Sequence, residues 1–486
     1  MAPGLHPPPW RWMVMAGLLS GVTSCALYAQ PPAVVIVGHI ELTGNTRTRD
    51  WVILRELPFQ VGDTVLAGDW DALLAQGRTL VYNLGLFTEV TADTLSTPPL
   101  TTVRLDCPER WYIFGSPLLG LAERNSYDIV QAFRRGDLRR LIYGGTATWR
   151  NVTGRNETLY LGLQGGFSSR LDLDYQAPGL IRRWNTDVGG GFHYAREREL
   201  ILGTVSGVPQ WRNLFTEPLR TQVAGYFFLR KRFSLYNSLL LEARYQRYQV
   251  SDSLYQMEAG GVPFRYLTQR GGVEQWPSWM IGWVHDTRDL RGFPQRGHKL
   301  GLYLRAHGPG GRGPVFTRVG INWAQHIPLG RRWNLTWGTQ HALTIGQVLP
   351  WFEKSLLHAG KPDFPGQSEE IRGYEPYLLA GTRLHLAKTE LKWALFSFRM
   401  VHLPMIPFKQ FQYLPAGAYI TAFMDLGYLA DKSIIVQDPW LHRQLLAGTG
   451  VGLNLIGGYD ALLRVEFTRN HLGQTGLYLH TTVPIK

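Results

Sequence analysis

The residues with the clearest capacity for specific chemistry form the tetrapeptide Ile371-Arg372-Gly373-Tyr374, in a long segment rich in Gly and Pro. A guanidinium stays charged and presents a rigid fork of donors that matches a carboxylate in a bidentate pair. On a loop of a membrane barrel, such a side chain can fold into the lumen and bind a carboxylate there. The alternative is a solvated loop arginine. The tetrapeptide alone does not decide between the two, so the elements around it must.

The sequence predicts neither catalysis nor a resident cofactor. Its 14 histidines are scattered without an HExxH or His-x-His cluster, and Cys107 has no candidate base near it. His307 and His326 fall on the inward side of predicted strands, a position typical of hydrogen-bonded wall residues. Serine catalysis, as in outer-membrane lipases, would need a Ser/His pair that sequence alone does not place. We therefore expect no enzyme activity, no cofactor and no metal.

Composition and charge favour a β-rich membrane protein over a nucleic-acid-binding protein. The 486 residues include 54 Gly, 17 Trp and 22 Tyr, which is typical of barrels with aromatic belts. The formal net charge is +13, yet the chain has no basic run of five residues and no nucleic-acid-binding motif. Dispersed cations suit a lumen or anionic lipid. Outer-membrane lipid is therefore an expected partner, and nucleic acid is not.

Residues 1–29 have the features of a secretory signal peptide. Arg11 precedes an apolar run, and small residues end at Ala29, after which we expect cleavage. The box that ends at Cys25 also resembles a lipoprotein cleavage site, which would place a lipid on that cysteine instead. Both alternatives predict export. No intramolecular disulfide is expected, because Cys107 is the one cysteine outside this segment.

The segment 33–110 is predicted to be a small periplasmic domain of order β-α-α-β-β. It carries six basic and ten acidic residues, whereas 111–486 carry 43 and 27, so the two parts differ in charge. Hydrophobic spacing and breakers predict strands and helices in this domain. The strands are 34–42, 87–95 and 101–106, and the helices are 48–56 and 69–84.

From Trp111 onward the chain consists of strands in which apolar and polar residues alternate. One strand, for example, alternates Leu463, Val465 and Phe467 with Arg464, Glu466 and Thr468. Large apolar residues on one face and full charges on the other are the pattern of a barrel with a lipid-facing exterior and a polar lumen. A soluble sandwich or propeller also alternates, but a sandwich keeps its apolar core between sheets and no blade repeat occurs here.

Sixteen strands can be counted, an even number as in bacterial single-chain barrels. They are 112–123, 139–150, 155–166, 168–177, 185–196, 219–231, 234–250, 277–288, 297–308, 314–328, 331–346, 383–398, 416–428, 444–456, 459–469 and 474–484. The longest connections, 197–218, 251–276 and 347–382, are expected on the extracellular side. The predicted fold is mainly β: a sixteen-stranded transmembrane antiparallel β-barrel over 111–486 with one N-terminal α/β domain.

Short motifs in the N-terminal segment resemble those of a POTRA domain. They are Ile40-Glu41-Leu42-Thr43-Gly44-Asn45, Thr48, Arg55-Glu56-Leu57-Pro58-Phe59, Gly62-Asp63 and Asn83-Leu84-Gly85-Leu86-Phe87. Followed by the barrel and its Arg372 tetrapeptide, this combination is similar to the BamA/TamA outer-membrane assembly family, also called bacterial surface antigens. The resemblance spans about 33–484. It implies the outer membrane of a Gram-negative bacterium, with the POTRA domain in the periplasm.

The resemblance also implies a loop–lumen lock. In that family the arginine of the tetrapeptide folds inward from the sixth extracellular loop and pairs with an acidic strand residue, whose match here is Asp425. Alternation agrees, because Ile420 and Met424 take lipid-facing positions on the same strand. Glu390 faces inward on the preceding strand. The expected lock residues are Ile371, Arg372, Gly373, Tyr374, Asp425 and Glu390. Gly373 is expected to adopt a positive φ and Tyr374 to pack on the lumen wall.

A further family-like stretch runs from Asp286 through Arg288 and Asp289 to Gly297. We expect a structural role for it, namely strand-end charges and a tight turn.

The barrel seam carries a functional expectation as well. The first and last strands must pair, yet Gly115 and Pro117 lie in the first and Pro484 lies at the end of the last. Proline donates no ladder hydrogen bond, so a weak seam could open sideways and template a client strand. The alternative is a seam that does not open.

The family implies an assembly or translocation factor that captures unfolded clients on the POTRA sheet edge by β-augmentation and inserts or exports them through the barrel. The expected partners are unfolded outer-membrane or secreted proteins, with accessory lipoproteins as further candidates. Two features depart from the family. Only one POTRA domain fits, and residues 483–486 lack a terminal aromatic. The alternatives are a two-partner-type secretion pore for one cognate protein and a passive porin-like or adhesive surface barrel.

Overall fold

The computed structural model describes residues 33–95, 100–121, 136, 138–255, 258–259, 262–263, 272–308, 313–346, 349–358, 368–407, 409–431 and 441–482. The predicted signal peptide, the lipidation alternative at Cys25 and the seam residue Pro484 lie outside the described residues. Within these ranges, no helix has both the length and the apolar character needed to cross a membrane.

The N-terminal domain packs two helices against a four-stranded sheet. Its elements are β1 (Val34–Thr43), α1 (Asp50–Leu54), β2 (Thr64–Leu66), α2 (Ala67–Tyr82), β3 (Thr91–Thr94) and β4 (Leu100–Asp106). The sheet order is β2-β1-β4-β3, and β1 and β4 run parallel in its centre. Side chains from every part of the domain form its core, including the fully buried Val37, Ile53, Val81, Leu86 and Val103.

The predicted β-α-α-β-β order is wrong in one element, because it omits β2. That strand has three residues and forms only through pairing with β1, with Val34 opposite Leu66, so its own sequence carries no period. The strand predicted over 87–95 is also too long. Phe87 makes a single bridge to Glu109 and is fully buried in the core, and the strand itself starts at Thr91.

Sixteen strands form one antiparallel sheet after this domain. They are β5 (Ile113–Leu121), β6 (Leu141–Arg150), β7 (Thr158–Gly166), β8 (Ser169–Ile181), β9 (Thr186–Glu197), β12 (Arg220–Arg232), β13 (Asn237–Val250), β16 (Val273–Asp286), β17 (Gly297–His307), β18 (Phe316–Pro328), β19 (Trp333–Gly346), β23 (Arg383–His402), β24 (Tyr413–Ala430), β25 (Leu445–Ile456), β26 (Leu462–Asn470) and β27 (Thr475–Thr482). Each neighbouring pair in the sheet is consecutive in this series, as in an up-and-down barrel.

The predicted fold class is confirmed, and all sixteen predicted strands occur in their predicted order. The two faces differ as expected. On β24, Ile420 is 43% exposed and Met424 46%, whereas Thr421 is 1% exposed and Asp425 is fully buried. Some boundaries shift. The strand expected from 459 begins at Leu462, because Gly458–Asp460 form a 3₁₀ turn.

The connections contain strands that were not predicted. These are β10 (Glu199–Val205), β11 (Val208–Asn213), β14 (Glu258–Ala259), β15 (Val262–Pro263), β20 (Ser355–His358), β21 (Ser368–Glu369) and β22 (Leu378–Gly381). They form a hairpin, a two-residue pair and a small three-stranded sheet in the three longest connections. Most are too short for alternation to be visible, and β22 is buried on both faces, so it does not alternate.

The expected pairing of the first strand with the last is absent from the described residues. The sheet runs from β27 to β5, and no ladder joins these two strands within the ranges that the structure covers. Pro117 lies inside β5 and pairs only toward β6, opposite Gly145. A proline in this place is typical of an edge strand, because it leaves no N–H for a second ladder.

The N-terminal domain contacts the short turns at one end of the sheet. Arg47 donates to the carbonyl of Val152 in the β6–β7 turn, and Arg49 donates to that of Thr153 at 3.3 Å. Glu56 pairs with Arg232 at the end of β12, with 2.8 Å between Oε2 and Nη2. The three longest connections join strands at the opposite end.

Candidate functional site: the loop arginine in the barrel lumen

Arg372 lies inside the barrel and grips one carboxylate with three donors. Its Nε is 2.8 Å from Asp425 Oδ2, its Nη2 is 2.7 Å from Oδ1, and its backbone N is 3.1 Å from Oδ2. The arginine is 5% exposed and Asp425 is fully buried. A bidentate pair with an added backbone bond fixes the position of the whole loop segment and not only that of the side chain.

Two more carboxylates reach the remaining guanidinium nitrogen. Arg372 Nη1 is 3.0 Å from Glu390 Oε2 and 3.2 Å from Glu466 Oε1. The Phe423 ring covers the guanidinium, with 3.6 Å from Cζ to the ring centroid, which adds a cation–π contact. The loop arginine is therefore bound by side chains from β23, β24 and β26.

The sequence identified Asp425 and Glu390 as candidates but missed Glu466 as a partner of Arg372. The signal was present, because Glu466 alternates with Val465 and Phe467 and therefore faces inward. Alternation along a strand shows that a residue faces the lumen but not how far along the barrel axis it lies. It could therefore not show that Glu466 on β26 lies at the level of Arg372.

The carboxylates keep the arginine charged. Burial by itself lowers the pKa of the Arg372 guanidinium, but the bonds to Asp425 and the charges of Glu390 and Glu466 raise that pKa above its ordinary value. A buried arginine with one partner removed would leave an uncompensated charge, which is the costly outcome for a buried pair.

Gly373 makes the turn that lets the loop enter the lumen. Its φ of 92° lies in the left-handed region, where a side chain is strained. Asn470 Nδ2 donates to the Gly373 carbonyl at 2.8 Å, and the Gly373 N–H donates to Glu375 Oε1 at 3.0 Å. The backbone at this turn is thus held from both sides.

Gly448 on β25 provides the space that the loop occupies, and the sequence did not single it out. A Cβ at this position would collide with the carbonyl oxygen of Arg372. On the adjacent strand, a Cβ at Gly427 would collide with the Ile371 side chain. The loop therefore rests directly on the strand backbones of β24 and β25.

The outer residues of the tetrapeptide pack on the wall. Ile371 is 3% exposed and belongs to a cluster with Leu386, Leu429 and Leu446. The Tyr374 hydroxyl contacts His471 Nδ1 and accepts a hydrogen bond from the Ala447 N–H at 3.2 Å. Both residues therefore join the loop to the barrel wall through apolar and polar contacts.

The predicted structural turn lies where β16 meets β17. Arg288 Nε is 2.8 Å from Asp286 Oδ1, and Asp289 Oδ1 accepts from the N–H groups of Leu290, Gln295 and Arg296. Gly297 has a φ of 91°. The turn also meets the N-terminal domain, since the Asn83 amide bonds to the Asp289 carbonyl.

The predicted POTRA-motif residues are spread over the N-terminal domain and do not form one site. Gly44, Gly62 and Gly85 lie in bends or turns, Asn45 Nδ2 donates to the Thr48 carbonyl at 3.0 Å, and Asp63 Oδ2 accepts from the Gln60 N–H at 2.7 Å. Phe87 lies in the core of the domain. Their contacts are structural.

The two inward histidines are bonded to neighbouring strands. His307 Nδ1 is 2.9 Å from Ser278 Oγ, and His326 Nδ1 is 3.0 Å from Thr336 Oγ1. Cys107 is buried, and this burial, with the Asp106 charge, raises the pKa of its thiol to about 12. A thiol of that pKa stays protonated at neutral pH and is a poor nucleophile.

A cavity of about 710 Å³ lies inside the barrel beside the locked loop. Its wall includes the charged residues Arg305, Arg318, Lys388, Glu390 and Arg464, and Arg372 closes part of it. These charged side chains agree with the predicted inward face.

Two family models match the chain. One, described as the Omp85 superfamily domain, matches residues 151–471, and a POTRA model, described as a surface antigen variable number repeat, matches residues 35–106. The match confirms the predicted combination of a β-barrel with one N-terminal POTRA domain. No curated protein matches the chain at a significant level.

Two solved structures align with the chain over most of its length. CdiB from Escherichia coli aligns with a TM-score of 0.50 at 12% identity, over 99% of this chain and 98% of its own. BamA from Haemophilus ducreyi lacking POTRA domains 1–3 aligns with a TM-score of 0.49 at 15% identity, over 92% of this chain and 84% of its own. At 12% identity the likeness to CdiB concerns the fold alone.

Proposed function

Because the chain belongs to the Omp85 superfamily, we propose that it captures unfolded proteins on its POTRA domain and inserts them into the outer membrane. Membership places it among proteins of outer-membrane assembly or secretion in Gram-negative bacteria, with the POTRA domain in the periplasm. The finer steps, namely which clients it accepts and whether it inserts or exports them, belong to this proposal.

The proposal rests on the two edge strands of the barrel sheet. Within the described residues, β5 and β27 each pair on one side only, so each has a row of backbone groups available to another strand. The outward side chains Leu477 and Leu479 on β27 are 73% and 66% exposed, as expected for a lipid-facing edge. A client strand could pair with such an edge through its backbone, which tolerates many client sequences.

The POTRA sheet supplies an earlier contact for the same client. Its outer strand β3 (Thr91–Thr94) pairs with β4 on one side, and the other side forms an edge of the sheet. An extended client segment could extend this edge before it reaches the barrel. We assign the domain this capture role, with outer-membrane lipid around the barrel and accessory lipoproteins as further partners.

The loop that carries Arg372 holds together the strands next to the free edge of β27. Arg372 binds residues on β23, β24 and β26, and β26 is the neighbour of β27. In this scheme the arginine holds the C-terminal part of the barrel rigid while the edge of β27 accepts a client. It acts as a structural lock and not as a catalytic or substrate-reading residue.

Secretion of one cognate protein is the second candidate. The cavity of about 710 Å³ in the lumen favours it, because the charged side chains in its wall suit the passage of a soluble client. A passive porin-like or adhesive barrel is a third.

Depletion of the protein from its host separates these functions. Loss of many outer-membrane barrels, measured by proteomics of the outer membrane, is the result expected for an insertase. Loss of one secreted protein with the other barrels intact would instead assign the secretion pore. An unchanged outer membrane and secretome would refute both and leave the passive barrel.

A further inference from the structure

A second cluster of side chains lies beside the Arg372 lock. The outer atoms of this cluster do not contact Arg372. Glu370 and Glu375 flank the tetrapeptide, Glu466 is on β26, and His480 is on β27. Four of their atoms are buried and make no hydrogen bond of good geometry among the described residues, namely Oε1 of Glu370, Oε2 of Glu375, Oε2 of Glu466 and Nε2 of His480. Buried polar atoms are nearly always satisfied, so either a protonated His480 or a bound cation must complete their interactions.

The spacing of these atoms matches a metal coordination shell. His480 Nε2 lies 3.4 Å from Glu370 Oε1 and 3.4 Å from Glu466 Oε2. The ligand atoms of Glu370, Glu375 and His480 all lie within 4.8 Å of one another. Ligands at about 2.0–2.1 Å from a tetrahedral zinc ion are about 3.3–3.4 Å apart, which is the separation seen at His480.

The local charge also calls for a cation. Glu466 is 1% exposed and shares its other oxygen with Arg372, whose remaining donors are committed to Asp425 and Glu390. Arg464 Nη1 is 3.7 Å from that same oxygen, Oε1. Carboxylates gathered around one histidine in this way are costly to bury without a positive charge between them.

We propose that Glu370, Glu375 and His480 bind a zinc-class divalent metal ion, with the buried Glu466 carboxylate next to His480. One imidazole and several carboxylates suit zinc better than calcium, which takes about six to eight oxygen ligands. The sequence predicted no metal, because these ligands come from the loop and from the last strand, two segments that only the fold brings together. Glu370 also lines the lumen cavity, which gives an ion a path to the site.

The ion would tie the loop that carries Arg372 to the last barrel strand. Two ligands belong to the loop, and His480 belongs to β27, whose outer edge has no ladder in the described residues. Occupancy would therefore stiffen the edge strand from inside the barrel. This binding is independent of what the protein transports, so its test does not depend on the proposed function.

The test is calorimetric titration of the purified full-length protein, in detergent micelles and after chelator treatment, with zinc chloride in an excess of magnesium. We expect one high-affinity site. His480→Ala and Glu375→Gln should each weaken it by at least about tenfold, because even changes outside the ligand shell cause losses of this size. Heat-modifiable mobility on gels checks that each variant is folded. If His480→Ala does not fold, the result for Glu375→Gln decides the test.

His341→Ala is the matched control. His341 and His385 form an exposed pair on β19 and β23, with 2.9 Å between their Nδ1 atoms, and could bind zinc elsewhere on the barrel. This variant should retain the high-affinity site. Loss of binding in His341→Ala with retention in Glu375→Gln would overturn the proposal, as would wild-type protein that binds no zinc.

Discussion

At the scale of single residues, Arg372 is the shared cation of three buried or partly buried carboxylates. Arg372→Ala would leave the buried Asp425 and its neighbours Glu390 and Glu466 without their shared cation. Breaking a buried pair in this way costs about 3–5 kcal/mol. We expect a lower unfolding temperature and faster proteolysis of the loop in detergent-solubilised protein. Arg372→Lys should recover only part of the loss, because lysine lacks the bidentate fork.

Arg183→Ala is the control for that substitution. Arg183 lies exposed on the 3₁₀ turn Arg182–Trp184. Its loss should leave both readouts unchanged. If Arg372→Ala were as stable as Arg183→Ala, the loop would not be locked by the arginine.

A second prediction at this scale concerns the space beneath the loop. Gly448→Ala adds one methyl group that collides with the Arg372 carbonyl, so we expect the loop to lift and become sensitive to protease, as in Arg372→Ala. Gly301→Ala is the matched control on β17, because a Cβ there meets no atom within 4 Å. Equal protease resistance of the two alanine variants would contradict the close approach.

The site could be predicted from the sequence only in part. Parity along β24 and β23 placed Asp425 and Glu390 in the lumen, and the composition of the tetrapeptide indicated a turn at Gly373. The role of Gly448 could not be predicted, because it depends on where a distant loop crosses the strand. Side-chain direction repeats along a strand, whereas the path of a long loop has no period to read.

At the scale of elements, the same distinction separates predicted from unpredicted strands. Lipid outside and charge inside impose a two-residue period on each barrel strand, so all sixteen were visible. β2 and the small sheet of β20, β21 and β22 have no lipid face and only two to four residues per strand. These strands form through pairing with other segments, and their own sequences contain no pattern that predicts this pairing.

The contact between domain and barrel gives an element-scale prediction that depends on pH. Burial by itself raises the pKa of Glu56, but the bonds from Arg232 outweigh it and hold that pKa below its ordinary value. The ion pair therefore stabilises docking above the ordinary glutamate pKa of about 4.3, and this contribution is lost as the pH falls through the lowered folded pKa.

Spin labels on cysteines placed at Asp71 in the domain and at Leu329 in a short barrel turn would report this docking as a distance between the two labels. Both positions are exposed. The buried Cys107 should remain unlabelled. We expect one narrow distance at neutral pH that broadens in acid. Glu56→Gln should be broad already at neutral pH. Glu41→Gln is the control, because its pair with Arg104 is exposed and lies within the domain. A distance insensitive to both pH and Glu56→Gln would rule out this pair as the anchor.

At the scale of the whole molecule, the fold places three features along one path. The POTRA domain lies at the short turns, the cavity lies in the lumen, and the free sheet edges run from one end of the barrel to the other. The locked loop occupies the C-terminal side of the lumen and leaves the β5 side without such a contact among the described residues. Client insertion and lumen transport therefore make different demands on β5.

Proline substitutions on β5 separate those demands. Pro117 is tolerated where its missing N–H faces away from β6, and residues two positions apart share that direction, so the Leu119 N–H also faces the free edge. Leu119→Pro should leave the β5–β6 ladder intact while it removes a donor that a client strand would use. Leu118→Pro should instead remove a hydrogen bond of the β5–β6 ladder and destabilise the barrel.

Complementation of a depleted strain gives the readout. For an insertase, cells with Leu119→Pro should hold a folded, heat-modifiable barrel and yet assemble other outer-membrane barrels more slowly. For a secretion pore, export should continue at the wild-type level, because a client within the lumen does not need the strand edge. Normal assembly of all barrels in the Leu119→Pro strain would therefore remove β5 templating from the proposed mechanism, even if depletion had shown an assembly defect.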